Sequence, residues 1–156
     1  MKLNIPEKTF VLELHKIKIL SMKLKYILKE ISNFKGEMIL LKNMEKAGKF
    51  GSKYGQDVEP AGFYALQYIK GQSDVFLKNP NYKLFTVDIK NPLIINVNDD
   101  NLIEWKRELS NEYNAKGKSL TTKLLNKGYD AIITKYDAGD TGEIIILDTK
   151  KIKEYV

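Results

Sequence analysis

The spacing of apolar residues changes several times along this chain, and each change marks an element. In "TFVLELHKIKIL" (9–20), Leu12 and Leu14, then Ile17 and Ile19, alternate with polar residues, the period of a half-buried strand. "SMKLKYILKEISNF" (21–34) shifts to helical spacing, with Leu24, Ile27, Leu28 and Ile31 on one face, Lys23, Lys25 and Lys29 elsewhere, and Ser21 placed to cap the first turn. A basic amphipathic helix packed on its own sheet is the expectation. Gly36 then punctuates the chain, and "EMILLKN" (37–43) reads as a short buried strand. From Met44 to Pro60 no apolar period is visible, and Gly48, Gly51 and Gly55 mark a long loop, a kind of segment that is more often functional or disordered than merely connecting.

The second half is more regular. "AGFYALQYI" (61–69) is aromatic-rich and strand-like, and "YKLFTVDI" (82–89) and "PLIINV" (92–97) are two apolar, β-branched strands that meet at Asn91-Pro92. "DDNLIEWKRELSNEY" (99–113) predicts a helix with acids in its first turn and Leu102, Trp105 and Leu109 on one face. "KSLTTKLLNKG" (118–128) predicts another that buries Leu120, Leu124 and Leu125 and stops at Gly128. "YDAIITKY" (129–136) and "EIIILD" (143–148) supply the last strands. About six strands and three helices in this mixed order make an α+β domain.

The 156 residues suffice for one domain with a real core, and 43% apolar with 29% charged residues is an ordinary globular composition. No repeat or linker-like tract divides it. The chain lacks cysteine, which excludes disulfides, thiolate metal sites and a cysteine nucleophile, and removes any argument for an oxidising compartment. With apolar runs only a few residues long and no secretory signal pattern, a soluble, cytoplasmic protein without membrane contact is expected. The net charge of +6 is concentrated at one end: residues 1–53 hold twelve lysines against five glutamates, whereas the remainder is close to balanced. Such a face attracts phosphates or an acidic partner, but with one arginine in the chain, bidentate reading of bases is nearly absent.

Most stock chemistries fail against these residues. A single histidine, His15, rules out multi-histidine metal centres, and no metal is expected. The phosphate-loop, dinucleotide-fold and serine-hydrolase glycine signatures are missing. "DAGDTGE" (137–143) lacks calcium-loop spacing, and Asp99-Asp100 is explained by the dipole of the helix it opens.

What remains is an order of segments: a strand, a glycine-rich loop, "PAGFYALQYI", "VDIKNPLIINV", two helices, "NKGYDAII", a loop, and "EIIILDTKKIK". Over residues 37–155 this order resembles the ADP-ribosyltransferase superfamily, especially its small single-domain members from phages and mobile elements. The resemblance implies an ADP-ribosyltransferase-like mixed or antiparallel β core flanked by helices, with residues 1–36 a basic N-terminal strand and helix and 37–156 an NAD-binding core. NAD would be the substrate. Glu143 would be the catalytic acid, a carboxylate that stabilises the oxocarbenium-like ribose as nicotinamide departs; the leaving group is already cationic in NAD, so one acid is enough. Gly62, Phe63 and Tyr64 would form the nicotinamide wall, with Tyr68 further along it. Lys42 would stand where the family's first strand carries an arginine or histidine to anchor NAD; His15 would serve instead only if the N-terminal strand were the family's first. Thr141 holds the place where arginine-modifying members carry a second acid, with Asp140 one step further back, which disfavours arginine as acceptor.

Three functions follow as alternatives. The first is a mono-ADP-ribosyltransferase acting as a phage- or toxin-type effector on a protein or nucleic-acid acceptor, which it would recognise through the loops 44–60 and 135–142. The second is an inactive relative of that fold serving as a protein-binding inhibitor. The third is a basic nucleic-acid-binding protein working through Lys23, Lys25 and Lys29.

Overall fold

A computed structural model of the chain describes residues 34–45, 57–102 and 104–155. The strand expected over 9–20, the helix expected over 21–34, His15, Lys23, Lys25, Lys29 and the centre of the 44–60 loop lie outside the described residues. The described residues belong to one unit, Phe34–Val156.

Seven strands and two α-helices make up the described part, a mixed α+β architecture. In chain order these are β1 (Gly36–Asn43), β2 (Phe63–Gln67), β3 (Tyr82–Ile89), β4 (Pro92–Val97), α1 (Trp105–Tyr113), α2 (Gly117–Asn126), β5 (Ala131–Tyr136), β6 (Thr141–Ile146) and β7 (Lys153–Glu154). The strands form one sheet in the order β4-β5-β6-β2-β1-β3-β7. Only β4 and β5 run parallel, and the helices lie in the crossover between them, as a parallel connection requires. Pairing in the middle of the sheet is divided along one short strand. Phe63, Tyr64 and Ala65 of β2 pair with β6, while Leu66 and Gln67 pair with β1.

The central strands read as continuous apolar runs because both of their faces are covered. Ile132 and Ile145 pack with Trp105, Leu109, Leu120 and Leu124 beneath the two helices. On the other face Ile133, Ile144 and Ile146 join Met38, Leu40, Val87 and Ile89 from β1 and β3.

The "NPL" and "GYD" segments fasten this arrangement to itself. The Asp130 carboxylate accepts the Lys90 and Asn91 amides at 2.7 and 3.0 Å and the Lys151 ammonium at 3.0 Å, and its carbonyl accepts the Leu147 and Asp148 amides. Asn91 in turn donates its side-chain amide to the carbonyl of Gly128, which ends α2 at φ +96°. Burial alone would raise the Asp130 pKa, but the two backbone amides and Lys151 outweigh it and hold the carboxyl below its usual range.

Several expectations need correction. The helix expected from residue 99 begins at Trp105, and Leu102, expected on its apolar face, is 44% exposed. Side chains are the cause: Asn98 accepts the Asp100 and Asn101 amides while Asn101 accepts the Asn98 amide, a local turn that outcompetes the helix. Leu125, expected in the core, is 39% exposed, because the buried stripe of α2 runs through Leu120, Thr121 and Leu124.

Candidate functional site

Glu143 sits in the third position of β6, where that strand passes β5 through an irregularity: the register shifts between Ile133 and Lys135. Glycine makes the passage feasible. A Cβ on Gly142 would stand 2.7 Å from Thr134 Oγ1 and 3.2 Å from Tyr136 Cε2. The buried Thr134 hydroxyl then donates to the Glu143 carbonyl at 2.7 Å, which pins the backbone just where the carboxylate departs. Strand alternation gives Glu143 the face of Ile145, the one the helices cover.

On that face a lysine waits. Lys106 of α1 is buried, and its ammonium lies 2.9 Å from Glu59 Oε2 and 3.4 Å from Glu143 Oε2. The same ammonium stands 5.1 Å from the centre of the Tyr64 ring and 5.7 Å from that of Trp105. Two carboxylates thus share one desolvated cation over aromatic walls. Glu59 reaches this point because the entry to β2 is tied down: the Tyr64 hydroxyl donates to the Pro60 carbonyl, and Thr121 of α2 donates to the Ala61 carbonyl at 2.6 Å. Burial first, then the Glu59 and Glu143 charges, push the Tyr64 phenol far above its ordinary pKa.

Lys42 approaches from β1. Its ammonium donates to the Tyr64 carbonyl at 2.7 Å and stands 4.5 Å from the centre of the Phe63 ring. Desolvation lowers its pKa, and the Glu143 charge partly offsets that. Phe63 packs edge-on against Phe85 with ring centres 5.0 Å apart, on the face away from Tyr64. Gly62 is glycine because of β6: a Cβ there would lie 2.7 Å from the Ile146 carbonyl oxygen. Thr141 donates its hydroxyl to Gln67 at 3.0 Å.

Glu143 and Tyr64 are therefore brought together around Lys106, while Lys42 reaches the Tyr64 carbonyl and the Phe63 ring and feels Glu143 only through its charge. Phe63 turns into the opposite core, and Tyr68 leaves the group. β2 stops at Gln67, and the Tyr68 hydroxyl donates to Asp74, which also accepts the Gly71 amide at 2.9 Å and so closes the turn that follows. Lys106 and Glu59 escaped the sequence reading. The single cue was a lysine beside the tryptophan of an amphipathic helix; Glu59 lay in a segment without any period.

The Glu143 side chain keeps 38% of its surface exposed and, among the described residues, makes one ion pair at the long end of the range, so its carboxylate is positioned yet accessible. Two clefts lie elsewhere, about 280 Å³ between β4 and α1 and about 410 Å³ beside β3, Lys151 and Lys153, and neither is lined by Glu143, Tyr64 or Lys42. Among the described residues no three His, Asp or Glu side chains gather as a metal site would need, and no helix is long and apolar enough to cross a membrane. Fold and site together define a mixed α+β protein with a carboxylate pair bridged by a buried lysine. No protein-family model, curated protein or solved structure matches this chain.

Proposed function

We propose that the protein is a mono-ADP-ribosyltransferase with an ADP-ribosyltransferase-like core, a phage- or toxin-type effector that moves ADP-ribose from NAD to a macromolecule. The observation that carries this reading is the strand order. β6, β2 and β1 are neighbours, so the segments bearing Glu143, Gly62 to Tyr64, and Lys42 lie side by side although the chain separates them widely. In the reaction the bond between nicotinamide nitrogen and ribose breaks, its electron pair leaves with neutral nicotinamide, and positive charge develops on the ribose. Glu143 would stabilise that charge, Lys106 would hold the carboxylate in place, and Lys42 would neutralise phosphate as a point charge. The acceptor's nucleophilic atom then bonds to the ribose carbon and loses a proton. Protein or nucleic acid can be the acceptor, and Lys23, Lys25 and Lys29 would guide the latter.

A second reading, an inactive fold relative that binds a protein partner, is favoured by a specific observation: the two groups the reaction needs free are both engaged, Glu143 by Lys106 and Lys42 by the Tyr64 carbonyl. Label transfer and nicotinamide release from labelled NAD, measured in a host lysate with wild type and Glu143→Gln side by side, separate the two. The transferase reading expects a labelled band that Glu143→Gln weakens by about 10²–10³-fold, the cost of losing one transition-state electrostatic contact. Equal labelling by both proteins removes Glu143 from the chemistry; absent labelling and absent NAD binding leave the binding protein.

A further inference from the structure

The groove between β4 and α1 takes no part in that site. β4 ends the sheet, and among the described residues its outer edge has no strand partner. The cleft of about 280 Å³ beside it has Leu93 and Ile95 of the strand on one side and a stripe of α1 on the other. Trp105, Glu108, Glu112 and Tyr113 form that stripe by their helical spacing, and Tyr129 closes one end.

Two features of the stripe call for a ligand rather than for stability. Glu108 and Glu112 are four residues apart, a spacing at which like charges repel, and among the described residues neither carboxylate has an ion-pair or hydrogen-bond partner. The cations nearest in sequence are already engaged, Lys106 with Glu59 and Glu143, and Arg107 with Asp57 and Glu104. At one end of the wall the chain's own cations are in place, the Lys127 ammonium 5.6 Å from the centre of the Tyr113 ring and Lys123 bonded to the Tyr113 carbonyl, which shows that the wall accepts cations but leaves Glu108 and Glu112 without an ion pair among the described residues. Among the described residues, an unpaired strand edge, an apolar floor, aromatic walls and two carboxylates without an ion pair complement one kind of chain.

We infer that this groove docks an extended basic segment of a partner protein. The segment adds a strand to the β4 edge, sets apolar side chains against Leu93 and Ile95, and places lysine or arginine side chains between Glu108 and Glu112. Nucleic acid is repelled by the two carboxylates. A second copy of β4 and α1 would bring four glutamates together, which disfavours pairing between copies. The inference is independent of NAD chemistry.

Trp105, the only tryptophan of the chain, reports on the groove directly. The full-length protein is titrated with the capped peptide acetyl-KVKVKVK-amide and, separately, with acetyl-EVEVEVE-amide, following tryptophan emission and backbone amide shifts. The lysine peptide should change the emission and shift the amides of Leu93 to Asn96, the glutamate peptide should do neither, and Glu108→Gln combined with Glu112→Gln should weaken binding by about tenfold or more. The double variant relieves repulsion between neighbours, so its unfolding midpoint should stay level or rise, which separates lost binding from lost folding. Undiminished binding to the double variant, equal binding of the glutamate peptide, or shifts that spare β4 would each overturn the inference.

Discussion

Asp130 and Glu143 are both carboxylates at the ends of central strands, yet their surroundings differ in kind. Asp130 accepts two backbone amides and a lysine while its own backbone holds the end of β6, so its charge is consumed in fixing the β3 to β4 turn against β5. Glu143 has its backbone pinned by Thr134 but its carboxylate held by one cation at 3.4 Å, already shared with Glu59. A carboxylate whose donors match its acceptor sites maintains a fold; one whose position is fixed and whose charge is only half engaged is available to a reacting or binding partner.

Truncation tests that contrast most severely. Asp130→Ala should lower the free energy of unfolding by about 2 kcal/mol, because it removes the acceptor of two part-buried amides and of the Lys151 ammonium, whereas Glu143→Ala should cost less than about 0.5 kcal/mol. Urea denaturation of both variants is the measurement, and equal losses would erase the distinction. A smaller effect belongs to the shared cation. Lys106→Met should destabilise by about 1–2 kcal/mol, and double-mutant cycles should show stronger coupling of Lys106 to Glu59, the shorter contact, than to Glu143. Coupling in the reverse order would make Glu143 the structural partner.

The smallest effect is one of pH. Folding depresses the Asp130 pKa, so its stabilisation is complete above the unfolded value of about 3.9 and is lost as pH falls through the lower folded value. The stability gap between wild type and Asp130→Asn should therefore be widest above about pH 4 and close in acid. A gap that widens on acidification would contradict the assignment.

Elements whose identity is local were legible in the residues. β3 and β4 occupy the ranges read for them, since apolar β-branched runs are broken there by Asn91-Pro92. α1 was read too long, because side-chain bonds of Asn98 and Asn101 compete with helix at its entry, and β7, only Lys153 and Glu154, is too short to carry a pattern. The site divides in the same way. Glu143, Tyr64 and Lys42 belong to strands whose ranges could be read, whereas Lys106 and Glu59 arrive from a helix and a loop through contacts that no spacing encodes. Tyr68 went astray for a related reason: alternation would give it the face of Tyr64, but the ladder ends one residue too soon.

The divided pairing of β2 also sets a timetable for synthesis. β1 and β3 can join as soon as both have left the ribosome, eight residue pairs zipped together, but the first half of β2 has no partner until Ile144 to Ile146 emerge near the end of translation. For most of its birth the chain carries an open strand of Phe63, Tyr64 and Ala65, and the sheet becomes continuous only when its last long strand slides between β5 and β2.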